Sequence, residues 1–308
     1  MSNTARSEPP LKTSRAAQAV CEVACWLQRC YPLLPGRWRL TRYVQRRQAL
    51  LATLPPRVRN MAPGYRLYTD PNDYDGFNYL LHGINPAEPV TRLLMSLLQP
   101  GDGMVDVGAN VGFMSLLASR LVGPAGTVFA FEASPTTYAR LTALRSLHDN
   151  LTRLNCAVAD RDGELEFSLG PADHSGIASL RKLESAAGRV RVKAIALDSM
   201  LERLPRTNLV KIDVEGAEFL VLKGMRGLLE RDRPVVVLEL TPAFLSSFGH
   251  RPEDVAVFMS ERSYVARRVT DDSAFTGLFD GEFQCDVAYF PKERDGDLLG
   301  GKIEASAA

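Results

Sequence analysis

The sequence predicts an α/β fold: a doubly wound, mostly parallel sheet with helices on both faces, preceded by a helical extension. Two observations support this prediction. Short apolar strands alternate with amphipathic helices from residue 101 to about residue 295. The strand "PVVVLEL" (234–240) is apolar almost throughout, as a strand buried on both faces must be. With 308 residues, the chain is long enough for one such domain and an appendage.

Residues 1–60 form the predicted extension, in which about the first 15 residues are polar and predicted to be disordered. Helical patterning continues to about Ala52 and ends at "LPP" (54–56). A basic segment in this region contains no acidic residue. Such a segment is either a solvated helix face or a surface that attracts anionic lipid or nucleic acid. Its arginines are Arg37, Arg39, Arg42, Arg46, Arg47, Arg57 and Arg59.

The apolar run over residues 16–34 is interrupted by Glu22 and Arg29, so it is too broken to span a bilayer. We expect an amphipathic helix that docks on the main domain or lies on a membrane surface. No signal peptide is evident, and the five cysteines lack both a disulfide framework and zinc spacing. These observations favour a reducing, cytoplasmic location, with peripheral contact at the inner membrane face as an option.

Residues 61–100 are predicted to form a short strand, a turn at "DPND" and a helix starting near Glu88, which together cap the site. Pro100 and Gly101 end that helix. The main domain follows over residues 101–295, and residues 296–308 form a flexible tail. Its predicted strands are 105–107, 127–132, 153–158, 208–216, 234–240, 263–269 and 285–291, with an inserted antiparallel pair at 163–169 and 189–197. Its predicted helices are 113–121, one capped by Ser134 before Pro135, 217–225 and 252–260.

The first strand of the domain runs into a glycine-bearing turn and a helix, "GMVDVGANVGFMSLLASRL" (103–121). In doubly wound sheets, ligands bind at the carboxyl ends of the strands. Glycines there allow a sharp turn and a close approach of the backbone to a ligand. The candidate ligand-binding residues at this edge are Asp106, Gly108, Asn110 and Gly112.

Glu132 closes the second strand, "TVFAFE", twenty residues after Gly112. A carboxylate at this position accepts hydrogen bonds from the hydroxyls of an adenosine ribose, in nicotinamide dinucleotides and in S-adenosylmethionine alike. The glycine spacing is G-x-x-x-G, not the dinucleotide pattern G-x-G-x-x-G, and no phosphate-binding P-loop motif is present. S-adenosylmethionine is therefore the favoured ligand.

The motifs "VDVGANVGFMSLLASR", "VFAFEASPTTYARL", "KIDVEGAE" and "VVLEL", in that order, resemble the FkbM family of S-adenosylmethionine-dependent methyltransferases. The resemblance covers roughly residues 85–291. It implies the class I methyltransferase fold, a Rossmann-like sheet of seven strands with the last antiparallel. It also implies O-methylation of a hydroxyl on a sugar, glycan or natural product. By this resemblance the methionine part of the cofactor is bound by Asp106, Gly108, Asn110 and Gly112, the ribose by Glu132, and the adenine by residues from Asn155 to Ala157.

Methyl transfer to a hydroxyl requires that the acceptor oxygen be held in line and lose its proton. "KIDVEGAE" supplies Lys211, Asp213 and Glu215 at one strand end, and Glu239 ends a neighbouring strand. In one interpretation Asp213 or Glu239 is the general base and Lys211 stabilises charge. In the other, Asp213 and Glu239, with Glu215 as a further candidate, bind a divalent cation such as Mg²⁺ that acidifies the hydroxyl.

A purely structural role for these residues is a third interpretation. Asp213 could cap the following helix, while Glu215 and Glu218 favour its N-terminal end. His174, in the loop "DHSGIASL", is an alternative base or a surface residue.

Two other functions, a nicotinamide-dependent oxidoreductase and a non-catalytic binding protein, are less consistent with these residues. A nicotinamide-dependent oxidoreductase would need G-x-G-x-x-G and a Tyr-x-x-x-Lys pair, and a non-catalytic binding protein would have lost Asp106, Glu132 or the acidic cluster. The net charge of +1 and the absence of a D/N-P-P-Y/F motif argue against a nucleic-acid partner. The expected acceptor is a small molecule or a lipid-linked sugar, contacted by residues 163–196 and the loop after Glu239.

Overall fold

The computed structural model describes residues 15–30, 37–46, 55–62, 65–82, 88–143, 149–171, 173–184, 186–269 and 284–294. The predicted disorder at the N-terminus and the predicted tail at 296–308 lie outside these residues, except for the helical Arg15. The extension comprises α1 (Arg15–Cys30), α2 (Arg37–Gln45), β1 (Arg57–Ala62), β2 (Tyr65–Thr69), α3 (Tyr74–His82) and α4 (Pro89–Leu97).

The helices α1 and α2 pack against α3 and so attach the extension to the rest of the chain. Their shared apolar core is formed by Ala24, Cys25, Val44, Phe77, Leu80 and Leu81. An ion pair of 3.1 Å between Arg59 Nη1 and Glu22 Oε1 joins β1 to α1. Within the described residues, no helix combines the length and apolar character needed to cross a membrane.

The extension is not helical throughout, because residues 57–62, which follow the predicted end of helical patterning at 54–56, form the strand β1. This strand pairs antiparallel with β2, with Val58 opposite Tyr68. Pro55 and Pro56 end helical patterning, and the alternation of arginine with Val58 then suits a two-sided strand. The helix α3 was not predicted, whereas α4 begins as predicted: Glu88 accepts from the backbone N–H groups of Val90 (2.9 Å) and Thr91 (2.6 Å).

The main domain contains β3 (Gly103–Val107), α5 (Phe113–Val122), β4 (Thr127–Phe131), α6 (Pro135–Thr142), β5 (Leu151–Leu154), β6 (Ala157–Val158), β7 (Gly163–Leu169) and β8 (Gly188–Ile195). It continues with β9 (Leu209–Ile212), α7 (Glu218–Lys223), α8 (Arg226–Asp232), β10 (Val235–Leu240), α9 (Pro242–Ser246), α10 (Pro252–Ser260), β11 (Tyr264–Arg268) and β12 (Cys285–Pro291). As predicted, Ser134 caps α6 by accepting from the backbone N–H of Thr137 at 3.3 Å.

Seven of the described strands form the central sheet in the order β11-β12-β10-β9-β3-β4-β5. The last strand, β12, inserts antiparallel between β10 and β11, whereas β10, β9, β3, β4 and β5 are mutually parallel. The predicted sheet of seven strands with an antiparallel last strand is therefore confirmed. Parallel order places the carboxyl ends of β3, β4, β9 and β10 at one edge of the sheet.

Successive residues of each central strand enter apolar clusters on opposite faces of the sheet. Val105 belongs to one cluster and its neighbour Met104 to the other. Burial of each such side chain contributes about 1.5–3 kcal/mol to folding. Both faces are thus covered, which explains the nearly unbroken apolar sequence of β10.

The predicted single strand over 153–158 is wrong, because the chain changes sheets at Asn155. Its side-chain Nδ2 donates to the carbonyl oxygens of Glu132 (2.8 Å) and Ala133 (3.2 Å), and the ladder with β4 ends there. The strand β6 instead joins β7 and β8 in a separate three-stranded sheet. The predicted antiparallel pair in this region is confirmed as β7 and β8.

Candidate active site

A cavity of about 540 Å³ opens at the carboxyl ends of β3, β4, β9 and β10. Its volume lies in the range of ligand-binding pockets. The described residues that line it include aromatic rings and a large excess of carboxylates over cationic groups. The carboxylates are Asp75, Asp106, Glu132, Asp213, Glu215 and Glu239, the rings are Tyr74, Tyr79, Phe113 and Phe244, and the cationic or titratable bases are Lys211 and His174.

The glycine turn after β3 is fixed by both neighbouring strands. The backbone N–H groups of Gly108 and Ala109 both donate to the carbonyl of Phe131, at 3.0 and 2.9 Å. Gly108 has φ +79°, and a Cβ on it would lie 1.8 Å from the carbonyl oxygen of Asp213. This glycine is therefore required by the close contact between two strand ends. Gly112, with φ +88°, precedes α5 and does not line the cavity.

Glu132 is buried immediately after β4, and its carboxylate fixes the glycine turn that follows β3. Its Oε2 accepts from the backbone N–H of Asn110 at 2.9 Å, and its Oε1 accepts from that of Ser134 at 2.8 Å. Burial raises the pKa of Glu132 to about 7, although the two backbone donors lower it. Each oxygen retains a second lone pair. The carboxylate therefore fits the predicted role of accepting hydrogen bonds from ribose hydroxyls.

Asp106 is fully buried in β3 and faces the cavity floor. Its Oδ2 accepts from Ser115 Oγ at 2.5 Å, while its Oδ1 has no hydrogen-bond partner in the described part of the chain. Burial raises the pKa of Asp106, and Lys211, which stands beside it in register on β9, lowers it. An acceptor left without a donor at this depth fits a ligand that carries N–H groups.

Asn155 and Ala157 were predicted to flank the adenine, but neither lines the cavity. Asn155 is exposed, and its side-chain amide donates to the carbonyl oxygens of Glu132 and Ala133. Ala157 is buried in the core under the small sheet, with Phe167 and Val192. Its side chain therefore does not reach a ligand in this cavity, because the chain turns into β6 at this point.

The predicted acidic cluster is brought together at the cavity wall. Asp213, Glu215 and Glu239 each offer a carboxylate oxygen, and these oxygens lie within 4.8 Å of one another. Burial and the charge of Asp213 raise the pKa of Glu239 to about 9, and burial raises that of Glu215 to about 7. Three mutually repelling carboxylates in a half-buried wall form a set of hard oxygen ligands.

Lys211 Nζ donates to Asp213 Oδ2 at 3.0 Å. Burial by itself would lower the pKa of Lys211, but the carboxylates of Asp213 and Asp106 outweigh it and raise the pKa. The ammonium group therefore stays charged and fixes the Asp213 side chain.

The structural interpretation holds for Glu218 but not for Asp213. Glu218 Oε1 accepts from the backbone N–H groups of Gly216 (3.0 Å) and Val214 (3.2 Å), and Glu218 does not line the cavity. It closes the turn before α7. Asp213 makes no cap, because the residue before α7 is Ala217 and no side chain caps that helix.

Sequence reasoning missed two acidic residues at this site. Asp75, in the first turn of α3, accepts from Asn110 Nδ2 at 2.9 Å. Asp286 of β12 lies directly opposite Glu239 in the antiparallel ladder. Burial, with Glu88 and Asp213 nearby, raises the pKa of Asp286 to about 6. Neither residue belongs to a motif, since each reaches the site through pairing of distant segments. His174 lies at the cavity as a loop residue, with its ring centroid 4.8 Å from that of Tyr74.

The seven-stranded sheet with its antiparallel last strand, the glycine turn and the buried acceptors define a class I S-adenosylmethionine-dependent methyltransferase. The chain belongs to the methyltransferase FkbM domain family, which matches residues 106–266, more than half of the 308 residues. The resemblance found in the motifs is thus confirmed, and the oxidoreductase alternative is set aside.

Two relatives illustrate the family. The hexuronic acid methyltransferase AglP of Haloferax volcanii is 32% identical over 184 residues, which cover 59% of this chain and 71% of AglP. The 31-O-demethyl-FK506 methyltransferase FkbM of Streptomyces tacrolimicus is 32% identical over 178 residues, covering 48% of this chain and 64% of the relative. A crystal structure of methyltransferase FkbM from Methylobacillus flagellatus KT aligns with a TM-score of 0.39 and 14% identity. That alignment covers 69% of this chain and 52% of the other.

Proposed function

We propose that the protein transfers the methyl group of S-adenosylmethionine to a hydroxyl oxygen of a sugar or natural-product acceptor. The observation that carries this proposal is the cluster of Asp213, Glu215 and Glu239, with Lys211, in the wall of the cofactor cavity. A hydroxyl is a poor acid, so its methylation needs a group that removes or acidifies its proton. The names of the two relatives, which act on a hexuronic acid and on a demethylated natural product, support the same class of acceptor.

The reaction is an in-line displacement in which the bond from the acceptor oxygen to the methyl carbon forms as the sulfur–methyl bond breaks. S-adenosylhomocysteine leaves, and the hydroxyl proton passes to a carboxylate of the cluster. Burial and the charge of Asp213 raise the pKa of Glu239 well above its usual range, which disfavours Glu239 as the proton acceptor in the ligand-free protein. Asp213, fixed by Lys211, is the better candidate for the proton acceptor.

We further propose that the cluster binds a divalent cation, with Mg²⁺ as the candidate. Three carboxylate groups with oxygens within 4.8 Å of one another repel when ionised, and a hard cation would offset that repulsion and favour the ionised form of Glu239. The cation would lower the pKa of the acceptor hydroxyl. Mg²⁺ should therefore raise the thermal unfolding temperature of the wild type but not that of Glu239→Gln.

The charge of the cavity also bears on the acceptor. Among the described residues, six carboxylates line it against Lys211 as the fixed cation, so one divalent cation would still leave the lining acidic. Anionic acceptors are repelled by such a wall, and neutral polyhydroxyl groups are not. We therefore propose a neutral sugar ring at the reacting hydroxyl, in contrast to the hexuronic acid in the name of AglP.

Methyl transfer itself tests this proposal. The protein is incubated with S-adenosylmethionine carrying a labelled methyl group and a panel of aryl glucosides, rhamnosides and glucuronides, with Mg²⁺ or with a chelator. Alkali-stable methyl ethers on neutral glycosides are expected, and they should be lost in Asp213→Asn. Glu230→Gln, on the exposed side of α8 and away from the cavity and the predicted acceptor segment, is the matched control that should retain activity. Methylation of nitrogen or carboxylate groups alone would contradict O-methylation.

A second proposed function is contact with an anionic membrane surface. The outer face of α1 exposes Val20, Val23 and Trp26, each to about half of its surface (50%, 54% and 52%). The neighbouring helix α2 exposes Arg39 and Arg42. An apolar helix face beside arginines is the pattern of a helix that lies in the interface of anionic lipid. A lipid-linked acceptor on the cytoplasmic side would suit this arrangement.

Flotation with vesicles tests this second proposal. Full-length protein should float with vesicles rich in phosphatidylglycerol and sediment with phosphatidylcholine vesicles. The double variant Val23→Ser, Trp26→Ser should lose flotation while retaining its circular dichroism spectrum. Equal flotation of the variant, or none by the wild type, would refute membrane contact through α1.

A further inference from the structure

Asp75 lies in the cavity although it precedes the segment matched by the family, residues 106–266. It sits in the first turn of α3, with Asp73 two residues before it. Asp73 Oδ1 accepts from the backbone N–H of Ser175 at 2.8 Å, which holds the loop at 173–178 against α3. A Cβ on Gly176 would lie 2.1 Å from Asp75 Oδ2, so this loop closes tightly over the carboxylate. Asp75 is therefore fixed between the loop and the glycine turn.

The charge of Asp75 has no counter-ion of the protein's own within the described residues. None of the ion pairs found there includes it. Its neighbours are largely acidic: Asp73 and Asp213 add to burial in raising the pKa of Asp75, while Asn110 and His174 lower it. A half-buried carboxylate in such surroundings is stabilised by a cation supplied from outside.

Two further acceptors in the same cavity lack donors. The side-chain Nδ2 of Asn110 donates to Asp75, so its Oδ1 is oriented as an acceptor, and that oxygen is buried without a partner in the described structure. The Oδ1 of the fully buried Asp106 is in the same state. The carboxylate of Asp75 and the adjacent Asn110 Oδ1 together fit a primary ammonium group, which carries three N–H donors and one positive charge.

We propose that Asp75, with Asn110 Oδ1, binds the α-ammonium group of S-adenosylmethionine. The inference rests on the cofactor assignment above. The turn "VGAN" then contributes the orientation of Asn110, and the upstream helix α3 contributes the charge. The cofactor site is completed by a segment outside the family's matched residues.

Calorimetric titration tests the proposal without any acceptor. The ligands are S-adenosylhomocysteine and its deaminated analogue, in which hydrogen replaces the amino group. The proteins are the full-length wild type, Asp75→Asn and Asp75→Ser. An asparagine at 75 retains an oxygen that can accept from Asn110, so the turn keeps its geometry while the charge is lost. Thermal unfolding of each variant confirms that it is folded.

The expected result is that Asp75→Asn weakens binding of S-adenosylhomocysteine about tenfold or more and leaves binding of the deaminated analogue unchanged. Asp75→Ser should show the same difference between the ligands. If a variant weakens both ligands equally, Asp75 only positions the loop, and the proposal is overturned. It is also overturned if the wild type binds both ligands equally. If the folded wild type binds neither ligand, the cofactor assignment itself fails, which is a separate outcome.

Discussion

Replacement of Gly108 by alanine probes the contact between β3 and β9 that shapes the cofactor turn. The new Cβ would lie 1.8 Å from the carbonyl oxygen of Asp213, where real contacts are at least 3.0 Å, so the two strand ends must separate by about 1.2 Å. The neighbouring hydrogen bond from Asp213 N–H to the Val107 carbonyl, now 3.0 Å, would then break. Alanine at φ +79° costs about 1–2 kcal/mol, and overpacking adds about 1–3 kcal/mol. We expect a loss of about 2–5 kcal/mol in the free energy of unfolding, together with loss of S-adenosylhomocysteine binding.

Gly249→Ala is the matched control, because Gly249 has φ +75° and nothing within 4 Å of the position of a Cβ. It should cost only the backbone term of about 1–2 kcal/mol and leave ligand binding unchanged. Unfolding in urea, followed by circular dichroism, measures both variants, and calorimetry measures binding. If Gly108→Ala is no less stable than Gly249→Ala and binds the ligand normally, the packing explanation for Gly108 is refuted.

The remaining predictions concern the buried charges. In Glu132→Gln, the amide NH₂ faces the backbone N–H of either Asn110 or Ser134, which then loses its acceptor. The free energy of unfolding should therefore fall by about 1–3 kcal/mol. Calorimetry should also show weaker binding of S-adenosylhomocysteine. An unchanged affinity would exclude the ribose role. Lys211→Met leaves buried carboxylates without their cation, and urea unfolding should show a loss of about 3–5 kcal/mol. A smaller loss than for Glu132→Gln would contradict this charge assignment. Two cavity carboxylates, Glu132 and Glu215, have folded-state pKa values raised from 4.5 to about 7, so the folded protein binds more protons than the unfolded chain between these values. The free energy of unfolding of the ligand-free protein should therefore fall as the pH rises from 4.5 to 7, and a pH series that rises instead would reject the raised pKa values. Glu239→Gln removes a carboxylate whose pKa is raised to about 9 and whose ionised form therefore destabilises the fold. The variant should unfold at a higher temperature than the wild type at pH 9.5, and it should lose methyl transfer. A lower unfolding temperature would show that the carboxylate stabilises the fold.

Much of the main domain could be predicted because each element carries its own local signal. The strand β10 is apolar except for Glu239, and Ser134 and Pro135 mark the start of α6. The register of the sheet then brings Asp106, Lys211 and Glu239 to one edge, as the order of the motifs indicates. These parts of the fold are predicted by patterns a few residues long, because strands buried on both faces accept almost only apolar side chains.

The parts that failed depend on contacts between distant segments. Asp75 reaches the cavity only because α3 docks on the loop at 173–178. Asp286 lies beside Glu239 only because β12 runs antiparallel next to β10. Ala157 lies away from the cavity lining because Asn155, through its side-chain hydrogen bonds, ends one strand and turns the chain into a second sheet. No local pattern reports these events, because the partner residues lie more than 20 positions away in the sequence.

The most direct test of the whole account is a calorimetric titration of the full-length wild type with S-adenosylhomocysteine, beside NADH under the same conditions. The account predicts binding of S-adenosylhomocysteine at one site per chain, lost in Glu132→Ala, and no binding of NADH. Binding of NADH in preference, or no binding of S-adenosylhomocysteine by the folded protein, would contradict the assignment of the cavity formed by the glycine turn and Glu132.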